Sequence, residues 1–223
     1  MAEFLLILPI LLFSVVAHEY AHAWTAYRQG DNTAYLLGRL TFNPIPHIDP
    51  FMSIIVPVGL FFLSKGTFTF GAAKPVPVNP KNYRHYRRGD VIVSSAGIVM
   101  NLLIALASAG IFIVLGLIGR SMPDAEWLIT LQQMASIGIS LNILLALFNL
   151  VPLPPLDGSH LVYHLLPPAA GARYQAFGRY GFALLMLAIW IVPSAQTVLL
   201  WPVARITEVA RTALIPWTLA AIP

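Results

Sequence analysis

Charge-free apolar runs dictate what this chain can fold into. Val91 to Gly119, Leu131 to Leu156 and Gly181 to Ala204 each meet the requirement of about 20 residues for crossing a bilayer as a helix. A further run, Phe4 to Ala17, is long enough to enter one. With 58% hydrophobic and 10% charged residues and a mean hydropathy of +0.76, the chain lies far from the usual soluble composition. The expected architecture is an all-α polytopic membrane protein with about four transmembrane helices. Phe51 to Ser64 is apolar but short and holds Pro57 and Gly59, so it reads as a re-entrant or interfacial segment. The net charge of +4 comes from short cationic clusters between apolar runs, which mark membrane flanks and argue against nucleic-acid binding.

The first run ends in His18-Glu19-Tyr20-Ala21-His22, an H-E-x-x-H motif. Residues four apart on a helix lie roughly 40° from one another, so both imidazoles can reach one ion. Glu19, turned by about 100° from His18, stays out of the ion's coordination sphere while its carboxylate can reach a metal-bound water as general base. Ionisable groups at membrane depth cost several kcal/mol unless they have a partner or a function, and three of them fall within this motif. The chain has no cysteine, which restricts metal ligands to His, Asp and Glu. An apolar N-terminal run followed by Ala21-His22-Ala23 also has the form of a signal peptide, but Glu3 and the absence of an early cation argue against it.

A catalytic zinc takes three protein ligands and keeps a place for water. Candidates for the third are Asp157, His160, His164, His47, Asp49 and His85. Topology favours Asp157. Lys65, Lys74, Lys81, Arg84, Arg87 and Arg88 precede the second long helix and place that loop in the cytoplasm. If Phe51 to Ser64 turns back, the next two helices run outward and return, so Asp157 arrives on the side of His18 and His22. His18 stands 14 residues after Phe4, about 21 Å along a helix, submerged but nearer the cytoplasmic face. Further on, Trp201 and Trp217 suit interfacial anchors, and Arg205, Glu208 and Arg211 make the tail mildly amphipathic.

These residues resemble the site-2 protease family of intramembrane zinc metalloproteases. The likeness rests on HEYAH at a membrane helix, on Asn149-x-x-Pro152-x-x-Pro155-Leu156-Asp157-Gly158, and on three segments between them: Gly30-Asp31-x-Thr33-Ala34, Gly38 to Pro50, and Ala73 to Asn79. It covers roughly Leu12 to Val162 and is similar to the compact prokaryotic branch without PDZ or CBS domains. Ser95-Ala96-Gly97-Ile98-Val99-Met100-Asn101 resembles the family's A-G-P-x-x-N helix, with Ile98 in place of the usual proline.

The resemblance implies a single domain over residues 1–223, with a catalytic core of about 4–162 and a C-terminal membrane segment of about 175–223. It implies one zinc on His18, His22 and Asp157, with Glu19 as catalytic base for attack of a zinc-bound water on a peptide bond. Asn149 is expected to position substrate, and Asn101 is a second candidate for that role. Short extended strands beside the site, from the proline-rich Asn43 to Pro50 and Ala73 to Pro80, would straighten a substrate by β-addition. Expected partners are the lipid bilayer and single-span membrane proteins or peptides; a homo-oligomer is open. Expected location is a prokaryotic cell membrane. A different function class, a metal-binding membrane scaffold without turnover, would use the same ligands.

Overall fold

The computed structural model describes residues 2–49, 55, 59, 74–122 and 125–219. The expected turn-back of Phe51 to Ser64 lies outside them apart from Ile55 and Gly59. The α-helices among the described residues are α1 Ala2–Gln29, α2 Thr33–Leu36, α3 Tyr86–Gly119, α4 Glu126–Leu150, α5 Gly158–Tyr163, α6 Pro168–Ile191 and α7 Pro193–Leu214. Three are long and apolar enough to cross a membrane: Leu5–Gln29 of α1, Tyr86–Gly119 and Glu126–Leu150. The expected fourth crossing, Gly181 to Ala204, is divided instead. Val192 takes an extended conformation at φ −108° and ψ 100° and Pro193 opens a new helix, because proline supplies no N–H to continue α6 and disfavours helical geometry in the residue before it. No strand forms among the described residues. Lys74 to Asn79 runs as irregular backbone, since Pro75 and Pro77 lack the N–H a ladder needs.

The chain packs as two compact units, one of residues 15–97 and one of residues 1–14 with 98–223. In the second, Ala105, Phe112, Ala135, Ile139, Ile143 and Leu214 form a buried apolar cluster. Close helix approach depends on small residues, as is usual in membranes: a Cβ on Gly138 would lie 2.6 Å from Ser108 Oγ. Polar side chains add hydrogen bonds. Asn142, wholly buried, donates to Ser14 Oγ at 2.9 Å, and the buried Gln132 amide donates to the carbonyls of Phe112 and Trp217 while accepting from Leu219 N–H.

In the unit of residues 15–97, α1 ends in a Schellman turn. Gly30 sits at φ +111°, its N–H donates to Tyr27 O, and Asp31 N–H donates to Ala26 O. Only glycine holds that φ without strain. The turn sends Asp31 inward, 1% exposed, where it accepts from Thr33 N–H, Thr33 Oγ1, Asn79 N–H and Asn82 Nδ2. Burial pushes its carboxyl up, and these hydrogen bonds outweigh that and hold it below the usual carboxylate range.

Candidate metal centre

His18 and His22 lie on the buried face of α1, and their Nε2 atoms face each other at 3.0 Å. The rings meet edge to face with centroids 4.7 Å apart. His22 Nδ1 lies 2.7 Å from the carbonyl of Val93. A carbonyl only accepts, so Nδ1 carries the proton and Nε2 keeps its lone pair, the tautomer a metal ligand requires. Two nitrogens at about 2.0–2.1 Å from a tetrahedral zinc stand about 3.3 Å apart. The observed pair is close to that spacing, and a two-histidine clamp with fixed tautomer fits the ion.

Gly97 makes room for the clamp. A Cβ there would collide with the imidazoles of both His18 and His22. Gly97→Ala is therefore expected to weaken zinc affinity by about 10- to 100-fold, the range seen when a ligand's surroundings are disturbed. Metal content against a competing chelator checks it, and an unchanged affinity would show that the rings can yield.

Glu19 is half-buried, and its Oε2 accepts from the N–H of Val76 at 2.7 Å. The carboxylate thus sits beside the histidine pair on the same helix, turned toward the proline-rich segment. Its orientation is set by backbone, a partner that the residue pattern did not announce.

Asp157, Asn149, Asn101, His160 and His164 belong to the unit of residues 1–14 and 98–223. Asp157 sits half-buried immediately before α5, after a loop with a cis Pro154–Pro155 bond. A Cβ on Gly158 would strike the carbonyl of Leu150, so the Leu-Asp-Gly sequence lets the chain fold tightly onto the end of α4. Asn149 donates to Leu145 O of its own helix at 3.0 Å. Asn101 differs: it is 0% exposed, and neither atom of its amide finds a hydrogen-bond partner among the described residues. His160 and His164 are half-buried on and just after α5. His47, in the unit with α1, is buried with Nε2 directed to the carbonyl of Thr41 at 3.1 Å. Asp49 and His85 take no part in the histidine clamp. Residues the sequence reading did not single out for the site are Gly97, Val93, Val76, Asp31 and Arg39. Gly97 and Asp31 stood inside motifs already visible, whereas Val93 and Val76 act through main chain and leave no side-chain signal.

Comparison with known proteins decides the family. The chain is 41% identical over 192 residues to the "Putative zinc metalloprotease YwhC" of Bacillus subtilis, spanning 86% of this chain and 82% of that protein. The chain belongs to the M50 (site-2 protease) family. The model for "Peptidase family M50" matches residues 114–192, which include Asn149 to Gly158. This M50 chain is also 32% identical over 192 residues to the "Putative zinc metalloprotease Rip2" of Mycolicibacterium smegmatis, spanning 86% of the chain and 68% of the relative. No solved structure matches it. M50 membership together with three membrane-length apolar helices makes it a membrane metalloprotease, and its family is one of zinc enzymes.

Proposed function

We propose that the protein is an intramembrane zinc peptidase that cuts single-span membrane proteins or peptides, with one zinc held by His18, His22 and Asp157. The observation that carries this reading is the buried His18–His22 pair, with its tautomer fixed by Val93 and Glu19 beside it, in a helix apolar enough to cross a membrane. Support for Asp157 is chemical. With no cysteine in the chain, a His–His–carboxylate set is the natural zinc donor group.

Bound there, zinc would supply Lewis acidity toward a peptide carbonyl and would lower the pKa of water to about 7. Glu19 takes the proton of the attacking water as the new C–O bond forms. The same carboxyl then gives that proton to the amine nitrogen as the C–N bond breaks. Asn101, with donor and acceptor both unused in a dry interior, suits a substrate carbonyl or amide. Asn149, whose amide gives a hydrogen to Leu145 O, suits the same task. The bilayer is the working medium, with the site nearer the cytoplasmic side of a prokaryotic cell membrane.

The test is cleavage by purified protein in detergent across a panel of single-span substrates, with and without a zinc chelator. Cutting that stops with chelator and returns with zinc is the expected result. Stoichiometric metal with no substrate cut would instead indicate a scaffold.

A further inference from the structure

Lys74-Pro75-Val76-Pro77-Val78-Asn79-Pro80 is a segment in which three prolines remove donors, leaving N–H groups at Val76, Val78 and Asn79 between Pro75 and Pro80. Two of these meet carboxylates. Val76 N–H donates to Glu19 Oε2 at 2.7 Å, and Asn79 N–H donates to Asp31 Oδ2 at 2.6 Å. At the other end of the segment, the guanidinium of Arg39 donates to the carbonyls of Lys74 at 3.2 Å and Pro75 at 3.1 Å, and also to that of Pro46. Arg39 is 8% exposed and Asp31 1%. A buried guanidinium held by carbonyls and a buried carboxylate held by amides are expensive to keep. Here they are fastened to the two ends of one short strap.

The strap's course is written on α1. Glu19, Ala23 and Ala26 follow at helical spacing on one face, and both alanines are 0% exposed. Val76 packs with Ala23 and Ala34, and Val78 against Ala26, Tyr83 and Val93. Small residues on that face let the strap lie close enough for its main chain to reach a helix side chain. Lys74 N–H, donating to His47 O at 2.9 Å, ties in the loop that holds Arg39.

The geometry points to Asp31 and Arg39 as positioning residues for the general base: they stretch the 74–79 strap so that the Val76 N–H fixes one oxygen of Glu19 and leaves Oε1 to face the reacting water. This rests on Glu19 being the base, as proposed above. A base held by a backbone amide loses little orientational freedom before the transition state, and misplacement of a reacting group by about 1 Å costs on the order of 100-fold in rate.

Three variants test it on the full chain: Arg39→Gln, which releases one end; Arg39→Lys, which keeps a cationic donor; and Val76→Pro, which removes the N–H that Glu19 accepts, together with the valine side chain. For Arg39→Gln and Val76→Pro, kcat on a single-span substrate should fall about 10- to 100-fold, with KM and zinc content unchanged. Arg39→Lys should recover most of kcat. Hydrogen–deuterium exchange of the 74–80 peptide, which reports few amides because of its prolines, should rise in Arg39→Gln and return toward wild type in Arg39→Lys. The inference is overturned if exchange rises while kcat holds, if KM rises with kcat intact, or if zinc is lost in parallel with rate. Full cleavage by Glu19→Gln would sink the peptidase reading itself, a separate result from any of these.

Discussion

Glu19→Gln should lower cleavage by about 100- to 10,000-fold, the usual contribution of a positioned general base, while zinc content stays at the wild-type level. The amide keeps the size of the carboxylate, and its Oε1 can still accept from Val76 N–H, so the strap contact survives. What it loses is the capacity to take a proton. Glu19 Oε2 is engaged by Val76 N–H, so the substitution is expected to leave the facing histidine nitrogens as they are. Steady-state rates beside metal analysis on the same preparation check the prediction. A variant that loses metal and rate together would move Glu19 into the ligand set, and one that keeps full rate would end its role as base.

Asp157→Ala should abolish both zinc and activity, whereas His160→Ala should keep both. Removing a ligand from a three-ligand site leaves two donors, too few to hold zinc against cellular competitors. Asp157 makes no side-chain cap to α5, and the tight return onto Leu150 depends on Gly158. A circular-dichroism spectrum at the wild-type level, recorded beside the metal analysis, separates lost ligation from a collapsed loop. Metal content of the two variants decides it. If His160→Ala loses the ion and Asp157→Ala retains it, the third ligand has been misassigned. His22→Ala serves as the reference, since its Nε2 is one of the two facing nitrogens.

The histidine pair was legible from the chain because its information is local. Two histidines at i and i+4 share one face of a helix, and their side-chain rotamers then bring the Nε2 atoms to 3.0 Å. The three long apolar helices were legible for the same reason, as length and composition decide them. The break at Val192 was harder to read. Pro193 was visible, but whether a proline kinks a membrane helix or ends it depends on what its neighbours supply to the freed carbonyls. The extended strands were expected from prolines at 75, 77 and 80, yet the same prolines take away the donors a ladder uses, and the segment is held by side chains of Asp31 and Arg39 instead.

Gly97 shows a further limit of sequence reading. It stood inside a recognisable motif, and its meaning, room for two imidazoles, arises only when α1 and α3 meet. Val93 and Val76 are less legible still, because a carbonyl and an N–H are common to nearly every residue. Asn101 and Asn142 look alike in the sequence and differ in context. Asn142 is satisfied in part by Ser14, and Asn101 is fully buried with no amide partner among the described residues. Buried polar groups in that state are rare in native folds.

The most direct measurement is to map the bond that is cut. Wild-type protein and a single-span substrate, reconstituted together in liposomes, would be sampled with chelator, without it, and after zinc is restored, and the products sized by mass spectrometry. The expected result is a cut inside the substrate's apolar segment, toward its cytoplasmic end, that disappears with chelator and returns with zinc. A cut confined to the polar flanks, or one that proceeds unchanged in chelator, would contradict the account.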